Sequence, residues 1–292
     1  MTDRPRWDVE GRDWPNRDAS QFVDAAGLRW HVQVAGAGPA LLLLHGTGAA
    51  THSWREMTPL LAERFTVVAP DLPGHGFTTG RPAGGLTMPA MARALGGLLT
   101  ALDIAPTAII GHSAGAAIAM RMAIDGHAQP RAIVGLGAAL MPFPGLAARL
   151  FPALAKLLFV NPIAPLLLAR MARGSGEVAR FLPRATGSRI NARGVELYAR
   201  LLGCPGQIAA AITMMAEWDL DRFAADLPRV TARTLLIHGE RDTAIPEASV
   251  RDAAGRIPQA QVVVTPGGHL MHEEHPREVV ARVERWLQNP VP

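Results

Sequence analysis

Short apolar runs alternate with helical patterns along most of the chain. "LRWHVQVA" (28–35) places Leu28, Trp30, Val32 and Val34 at every second position, the pattern of a half-buried strand. "ALLLLH" (40–45), "FTVVAP" (65–70), "TAIIGH" (107–112), "RAIVGLG" (131–137), "TLLIHG" (234–239) and "QVVVT" (261–265) are continuous apolar runs, suited to strands buried on both faces of a parallel sheet. Helices are predicted near 53–64, 87–102, 114–126 and 277–288, with Thr87 as an N-cap and Pro89 tolerated in the first turn. Strand–helix alternation on this scale predicts a doubly wound, mostly parallel α/β sheet. The alternation breaks between 141 and 221, where helices and prolines replace strands. The expected organisation is an arm over 1–19, an α/β core over 20–140 and 222–292, and an inserted helical cap over 141–221.

Composition narrows the picture. Of 292 residues, 49% are hydrophobic and 18% charged, enough for one large domain with an insertion or for two domains. The single cysteine, Cys204, leaves no internal disulfide and fits a reducing compartment. The opening "MTDRPRWDVEGRDWPNRD" lacks the apolar core of a signal peptide, so a cytoplasmic location is expected. Trp7 and Trp14 would pin this segment to the body; otherwise it is a loose arm. A net charge of +4, with no dense Lys/Arg block and no nucleic-acid motif, argues against a nucleic-acid partner. The charge is uneven. Residues 141–216 hold 9 basic and 2 acidic side chains, against 20 basic and 23 acidic elsewhere, which favours an acidic ligand or surface for that region.

The chemistry-bearing residues follow the apolar runs. In "IIGHSAGAA", Ser113 lies between a predicted strand and a predicted helix, flanked by Gly111 and Gly115. A sharp strand-to-helix turn needs small neighbours, and it would lift the Ser113 hydroxyl above the sheet at a helix N-terminus. A serine nucleophile needs a base, and the base needs an orienter. Asp242 follows the run "LLIHGE", and His269 follows "VVVTPGG". His272 and His275 share the histidine loop, but His269 lies closest to the strand end and follows two glycines. Glu273 and Glu274 beside three histidines raise a metal site, yet "HLMHEEH" is not His-Glu-x-x-His, so neither metal nor cofactor is expected. Asp71, in "DLPGHG", is assigned to turn structure. Two backbone amides should bind the oxyanion: Ala114, directly after the serine, and Thr47, in the glycine-flanked loop after "LLLLH". His45 is expected to brace that loop.

"HGTG", "DLPGHG", "GHSAG", "GERDTAIP" and "GGHLMHEEHP", in this order, closely resemble the α/β-hydrolase superfamily. The resemblance covers 20–140 and 222–292 and implies that fold, with Ser113, Asp242 and His269 as a catalytic triad. The N-terminal third, "DWPNRDASQFVDAAGLRWHVQVAG" joined to "LLLLHGTGAATHSWREMTPLLAERFTVVAPDLPGHGFT", further resembles the magnesium-chelatase accessory family of bacteriochlorophyll biosynthesis. That resemblance implies a place in photosynthetic pigment synthesis and contact with magnesium chelatase subunits. Three functions follow as expectations: a serine esterase acting on a small ester or a tetrapyrrole ester, a non-catalytic porphyrin-binding accessory protein, or a general carboxylesterase.

The stretch "PFPGLAARLFPALAKLLFVNPIAPLLLARMAR" (142–173) carries Arg149, Lys156, Arg170 and Arg173 and no acid. Its longest uncharged run, 157–169, contains Asn161, Pro162 and Pro165 and falls short of the roughly 18 residues a membrane span needs. On a helix, Leu146, Leu150, Leu154, Leu157 and Leu158 would share a face. That face would cover a hydrolase pocket, or would also meet a membrane or a flat pigment. Basic residues would then pair with phosphates or carboxylates.

Overall fold

In a continuous apolar strand, successive side chains point to opposite faces, so such a run serves two cores at once. Leu42 and Leu44 join a core with Ile109, Ile118, Leu95 and Leu98, whereas Leu41 and Leu43 join a second with Ile110, Met57, Leu61 and Val283. The computed structural model describes residues 3–142, 161, 163–174 and 176–288. The strands are β1 (Ser20–Ala25), β2 (Leu28–Ala35), β3 (Ala40–Leu44), β4 (Thr66–Pro70), β5 (Thr79–Gly80), β6 (Ala108–His112), β7 (Ala132–Leu136), β8 (Arg233–Gly239) and β9 (Ala260–Thr265). They form one sheet of order β1-β2-β4-β3-β6-β7-β8-β9, with β5 paired to β2. From β4 to β9 every neighbour is parallel, and β2 meets β1, β4 and β5 antiparallel. This is the α/β-hydrolase arrangement of a mostly parallel, doubly wound sheet.

Helices α1 (Met57–Leu61), α2 (Met88–Ala101) and α3 (Ala114–Ile124) precede β7. Between β7 and β8 the described residues form α4 (Ala164–Ala172), α5 (Glu177–Thr186), α6 (Ala192–Leu202), α7 (Pro205–Glu217) and α8 (Leu220–Asp226). Helices α9 (Glu247–Arg256), α10 (Met271–Glu274) and α11 (Pro276–Gln288) follow. The predicted leucine face at 146–158 lies outside the described residues.

Several local expectations are corrected. The helix expected at 53–64 is a 3-10 turn, Thr51–Trp54, followed by the short α1. Thr87 takes the N-cap position of α2, but its hydroxyl donates to Gly84 O at 3.1 Å rather than capping the helix. β9 is not buried on both faces. It is the sheet edge, and Val264 is 37% exposed. β2 is the reverse case, because its polar positions His31 and Gln33 are also buried. The N-terminal segment covers them. The Trp7 ring packs on Phe22, His31 and Phe77, and Pro15 O accepts from Gln33 Nε2 at 2.7 Å. Trp14 is buried and donates from Nε1 to Thr51 Oγ1 at 3.0 Å, so both tryptophans pin this segment down. Asp13 extends the attachment to α6 through Arg193 (2.8 Å) and Arg200 (2.6 Å). The loop expected at 269–276 contains the short helix α10, and the pattern did not reveal β1, β5 or α9.

Candidate active site

Ser113 occupies the turn between β6 and α3 with φ 51° and ψ −116°, a strained backbone for a residue with a Cβ. Its neighbours explain how the strain is held. A Cβ on Gly111 would lie 2.4 Å from Ala116 N, and one on Gly115 would lie 2.0 Å from Leu44 O. The small neighbours expected there are in fact restricted to glycine at both positions. Ser113 N donates to Leu136 O (2.9 Å), and Ser113 O accepts from Ala116 N (3.1 Å) and Ala139 N (3.2 Å). The half-buried side chain does not cap α3, and its hydroxyl makes no hydrogen bond to a described residue. Ala114 is the first residue of α3, where a helix start leaves the amide without an intrahelical acceptor.

The loop after β3 comes against this turn. A Cβ on Gly46 would lie 3.2 Å from Ser113 Cβ, so the bare Gly46 backbone lets the loop approach the serine. Ala49 N donates to Gly46 O (3.2 Å), placing Thr47 and Gly48 at the tip of a turn in which Gly48 has φ 78°. His45 braces the loop from below. Its Nδ1 donates to Gly46 O (2.8 Å), while its Nε2 accepts from Leu72 N (2.9 Å). That pairing needs a neutral ring, and burial lowers the His45 pKa accordingly. Asp71 is structural, as expected. It accepts from Thr51 N (2.7 Å), Phe77 N (2.8 Å) and His31 Nδ1 (2.7 Å). Burial alone would raise its pKa, but the His31 charge and these hydrogen bonds hold it at about 2.

Asp242 and His269 meet beyond the ends of β8 and β9. His269 Nδ1 donates to Asp242 Oδ2 at 2.8 Å, and the Asp242 carboxylate is fully buried. Its other oxygen accepts from Ala244 N (2.8 Å) and Ile245 N (2.9 Å), which fixes the carboxylate plane. With Nδ1 donating, His269 Nε2 carries the lone pair. Gly137, directly after β7, makes room for the pair. A Cβ on Gly137 would lie 2.9 Å from His269 Nδ1 and 3.3 Å from Asp242 Oδ2. His112, next to Ser113, donates from Nε2 to His269 O (3.0 Å), and the two rings stand 4.7 Å apart, which ties the serine turn to the histidine loop.

The other loop histidines lie elsewhere. His272 is wholly buried between Trp54 and His112, and burial pushes its pKa down to about 3. His275 Nδ1 stands 4.0 Å from Glu278 Oε1. Among the described residues no three His, Cys, Asp or Glu side chains are disposed to hold a metal.

The structure adds contacts that no local pattern signalled. Glu273, considered above only as a metal ligand, is buried and ion-paired to Arg55, and it accepts from Tyr198 Oη at 2.8 Å. Burial raises its pKa, and Arg55 and Tyr198 oppose that rise. Arg55 also donates to Asn191 Oδ1 (3.2 Å). Three elements are thereby joined: the turn after β3, the histidine loop and α6. His269 N donates to Thr186 O (2.7 Å), and Leu270 N to Ser188 Oγ (2.8 Å). Gln207 of α7 donates to Gly48 O and Ala49 O (3.2 Å each) and accepts from Gly76 N (2.9 Å). The helices between β7 and β8 therefore hold both the turn that carries Thr47 and the loop that carries His269.

A strained serine turn, a loop pressed against it and a buried Asp–His pair, all beyond the carboxyl ends of parallel strands, define a class. The chain belongs to the α/β-hydrolase superfamily, and the family model for the alpha/beta hydrolase fold matches residues 39–276. Within it, the chain is 37% identical over 278 residues to the magnesium-chelatase 30 kDa subunit of Rhodobacter capsulatus, covering 94% of this chain and 97% of that one. It is 29% identical over 278 residues to 2-hydroxymuconate semialdehyde hydrolase of Pseudomonas sp. strain CF600, covering 91% and 92%. A thermophilic esterase from Thermogutta terrifontis shares the fold, with a TM-score of 0.71 at 24% identity over 92% of this chain and 98% of that one.

Proposed function

We propose that the protein is a serine hydrolase acting on a carboxylic ester, with Ser113 as nucleophile, His269 as base and Asp242 as orienter. Ser113 Oγ attacks the ester carbonyl carbon as its proton passes to His269 Nε2. The carbonyl oxygen becomes an oxyanion between the Thr47 and Ala114 amides. Collapse breaks the carbonyl–alkoxide bond, and the leaving alcohol takes the proton from His269. Water, deprotonated by His269, then attacks the acyl carbon and releases the acid and Ser113. Asp242 stabilises the imidazolium formed in each half. No step calls for a cofactor.

The observation that carries this reading is the 2.8 Å bond between His269 and the fully buried Asp242, in a loop tied through His112 to the strained serine turn. Among the described residues the Ser113 hydroxyl makes no hydrogen bond, so this reading requires the Ser113–His269 bond to form when substrate enters. The helices between β7 and β8 would form a cap over the site. Likeness to a magnesium-chelatase subunit favours a tetrapyrrole ester as substrate, a role in bacteriochlorophyll synthesis and association with chelatase subunits. The same likeness supports a second reading, in which the protein binds porphyrin for the chelatase without catalysis.

A fluorophosphonate probe with intact-mass detection separates the two. The esterase reading expects one adduct, lost in Ser113→Ala. Folded wild-type protein that forms no adduct excludes an activated serine and leaves the binding role. Hydrolysis of simple esters, with tetrapyrrole esters untouched, would mark a general carboxylesterase.

A further inference from the structure

Helix α4 is amphipathic the wrong way round for a helix whose outer side faces only water. Its buried positions are Ala164 and Ala169, and Ala169 packs against Ile208 and Ile212 of α7. Its large apolar side chains point outward. Ile163, Leu167 and Met171, spaced four apart, are 57%, 55% and 62% exposed. One row over, Leu166 is followed by Arg170 and Arg173, also exposed. Phe181 on α5 adds a further 57% exposed aromatic ring, with Arg184 three residues on. A soluble face has no use for such a row unless something covers it.

The charges select the partner. Residues 141–216 contain only two acids, Glu177 and Glu196. Both are spent within the protein, Glu177 on Arg180 and Glu196 on Arg193 and Arg200. Arg170 and Arg184 make no ion pair among the described residues. We propose that the outer face of α4, with Phe181, docks on a bilayer containing anionic phospholipid. The row Ile163–Leu167–Met171 enters the boundary between headgroups and acyl chains, and Arg170 and Arg184 extend to lipid phosphates. The attachment is peripheral. Among the described residues no helix is long and apolar enough to cross a membrane. A convex helix with an apolar row bordered by guanidinium groups matches a soft anionic surface better than a rigid ligand, which would need a walled pocket.

The test is co-sedimentation of the full chain with vesicles of phosphatidylglycerol and phosphatidylcholine in equal parts, and with phosphatidylcholine alone. Wild type should bind the mixed vesicles at low salt and bind about tenfold more weakly at high salt or without phosphatidylglycerol. The pair Leu167→Asp with Met171→Asp should lower binding by about tenfold or more. The pair Arg170→Glu with Arg184→Glu should remove the preference for phosphatidylglycerol. An unchanged far-ultraviolet spectrum and unchanged fluorophosphonate behaviour would show that the fold and the serine site survive. Three results would each overturn the proposal: no binding of wild type to mixed vesicles at low salt, binding that both variant pairs leave unchanged, or a lipid-free dimer that Leu167→Asp dissociates. Capture of a soluble porphyrin by this face, with vesicles ignored, would assign it to pigment instead.

Discussion

Replacing His272 by phenylalanine should make the protein markedly less sensitive to mild acid. His272 is fully buried, its ring nitrogens make no hydrogen bond among the described residues, with Glu273 Oε1 standing 4.0 Å from Nε2, and burial holds its pKa at about 3 against an ordinary 6.5. Above pH 6.5 the ring is neutral whether the chain is folded or unfolded, so it adds no pH dependence. Below 6.5 the unfolded chain binds a proton that the folded chain refuses. Stability therefore falls as pH drops from 6.5 toward 3 and levels off below that. At pH 5.0 the unfolded imidazole is about 97% protonated and the folded one almost wholly neutral, a loss of about 2 kcal/mol relative to pH 7.5. For a chain of this size that lowers Tm by roughly 3–4 °C. Phenylalanine keeps the ring packing on Trp54, whose centroid lies 5.0 Å away, and forfeits no hydrogen bond, so the fold should tolerate it. The assay is thermal unfolding by circular dichroism at pH 7.5 and pH 5.0. The fall in Tm between the two should be about 3–4 °C smaller in His272→Phe than in wild type. An equal fall in both would refute the reasoning. His75, also held at about 3 by burial, provides a second test through His75→Asn, which retains a donor for Pro73 O.

Other substitutions probe the site and its supports. Asp242→Asn should leave the fold intact but slow fluorophosphonate labelling or ester turnover by about 10³–10⁴-fold, because the amide favours the wrong tautomer of His269; labelling at the wild-type rate would remove Asp242 from the triad. Gly115→Ala forces a Cβ to 2.0 Å from Leu44 O, so α3 must move off β3. Urea midpoints should report a loss of about 3 kcal/mol or more, together with lost labelling. Glu273→Ala leaves the buried Arg55 only its 3.7 Å ion pair to the exposed Glu56 carboxylate and should cost about 3 kcal/mol. The double variant Arg55→Met with Glu273→Met should recover much of that loss, and a double variant as unstable as the single would show that the pair is not coupled.

Much of the site was legible because its signals are local. The strained turn at Ser113 demands glycine at 111 and 115 within one pentapeptide, and both reasons are visible as forbidden Cβ positions. Buried strands announce themselves as apolar runs, and Asp242 and His269 could be nominated because each directly follows one. What the pattern missed depends on neighbours. "QVVVT" has the composition of a central strand but lies at the sheet edge, since hydropathy does not encode what packs alongside. His31 and Gln33 look like solvent positions and are buried, because a segment more than ten residues earlier folds over them.

By itself, then, the sequence set the type and order of strands β2–β4 and β6–β9 and of helices α2, α3 and α11, marked the serine turn, and nominated Ser113, Asp242 and His269 as candidates for a triad. Each of these is set by backbone geometry or side-chain period within a few neighbouring positions. Only the tertiary structure decided that Arg55 pairs with Glu273, 218 positions away, and that Tyr198 completes the pair from 75 positions away. It alone set Gln207 against the loop of Thr47 and turned the leucines of α4 outward and its alanines inward. Helical periodicity tells which residues share a face. Which face is covered depends on the elements that pack against it, and those contacts span separations at which no local pattern survives.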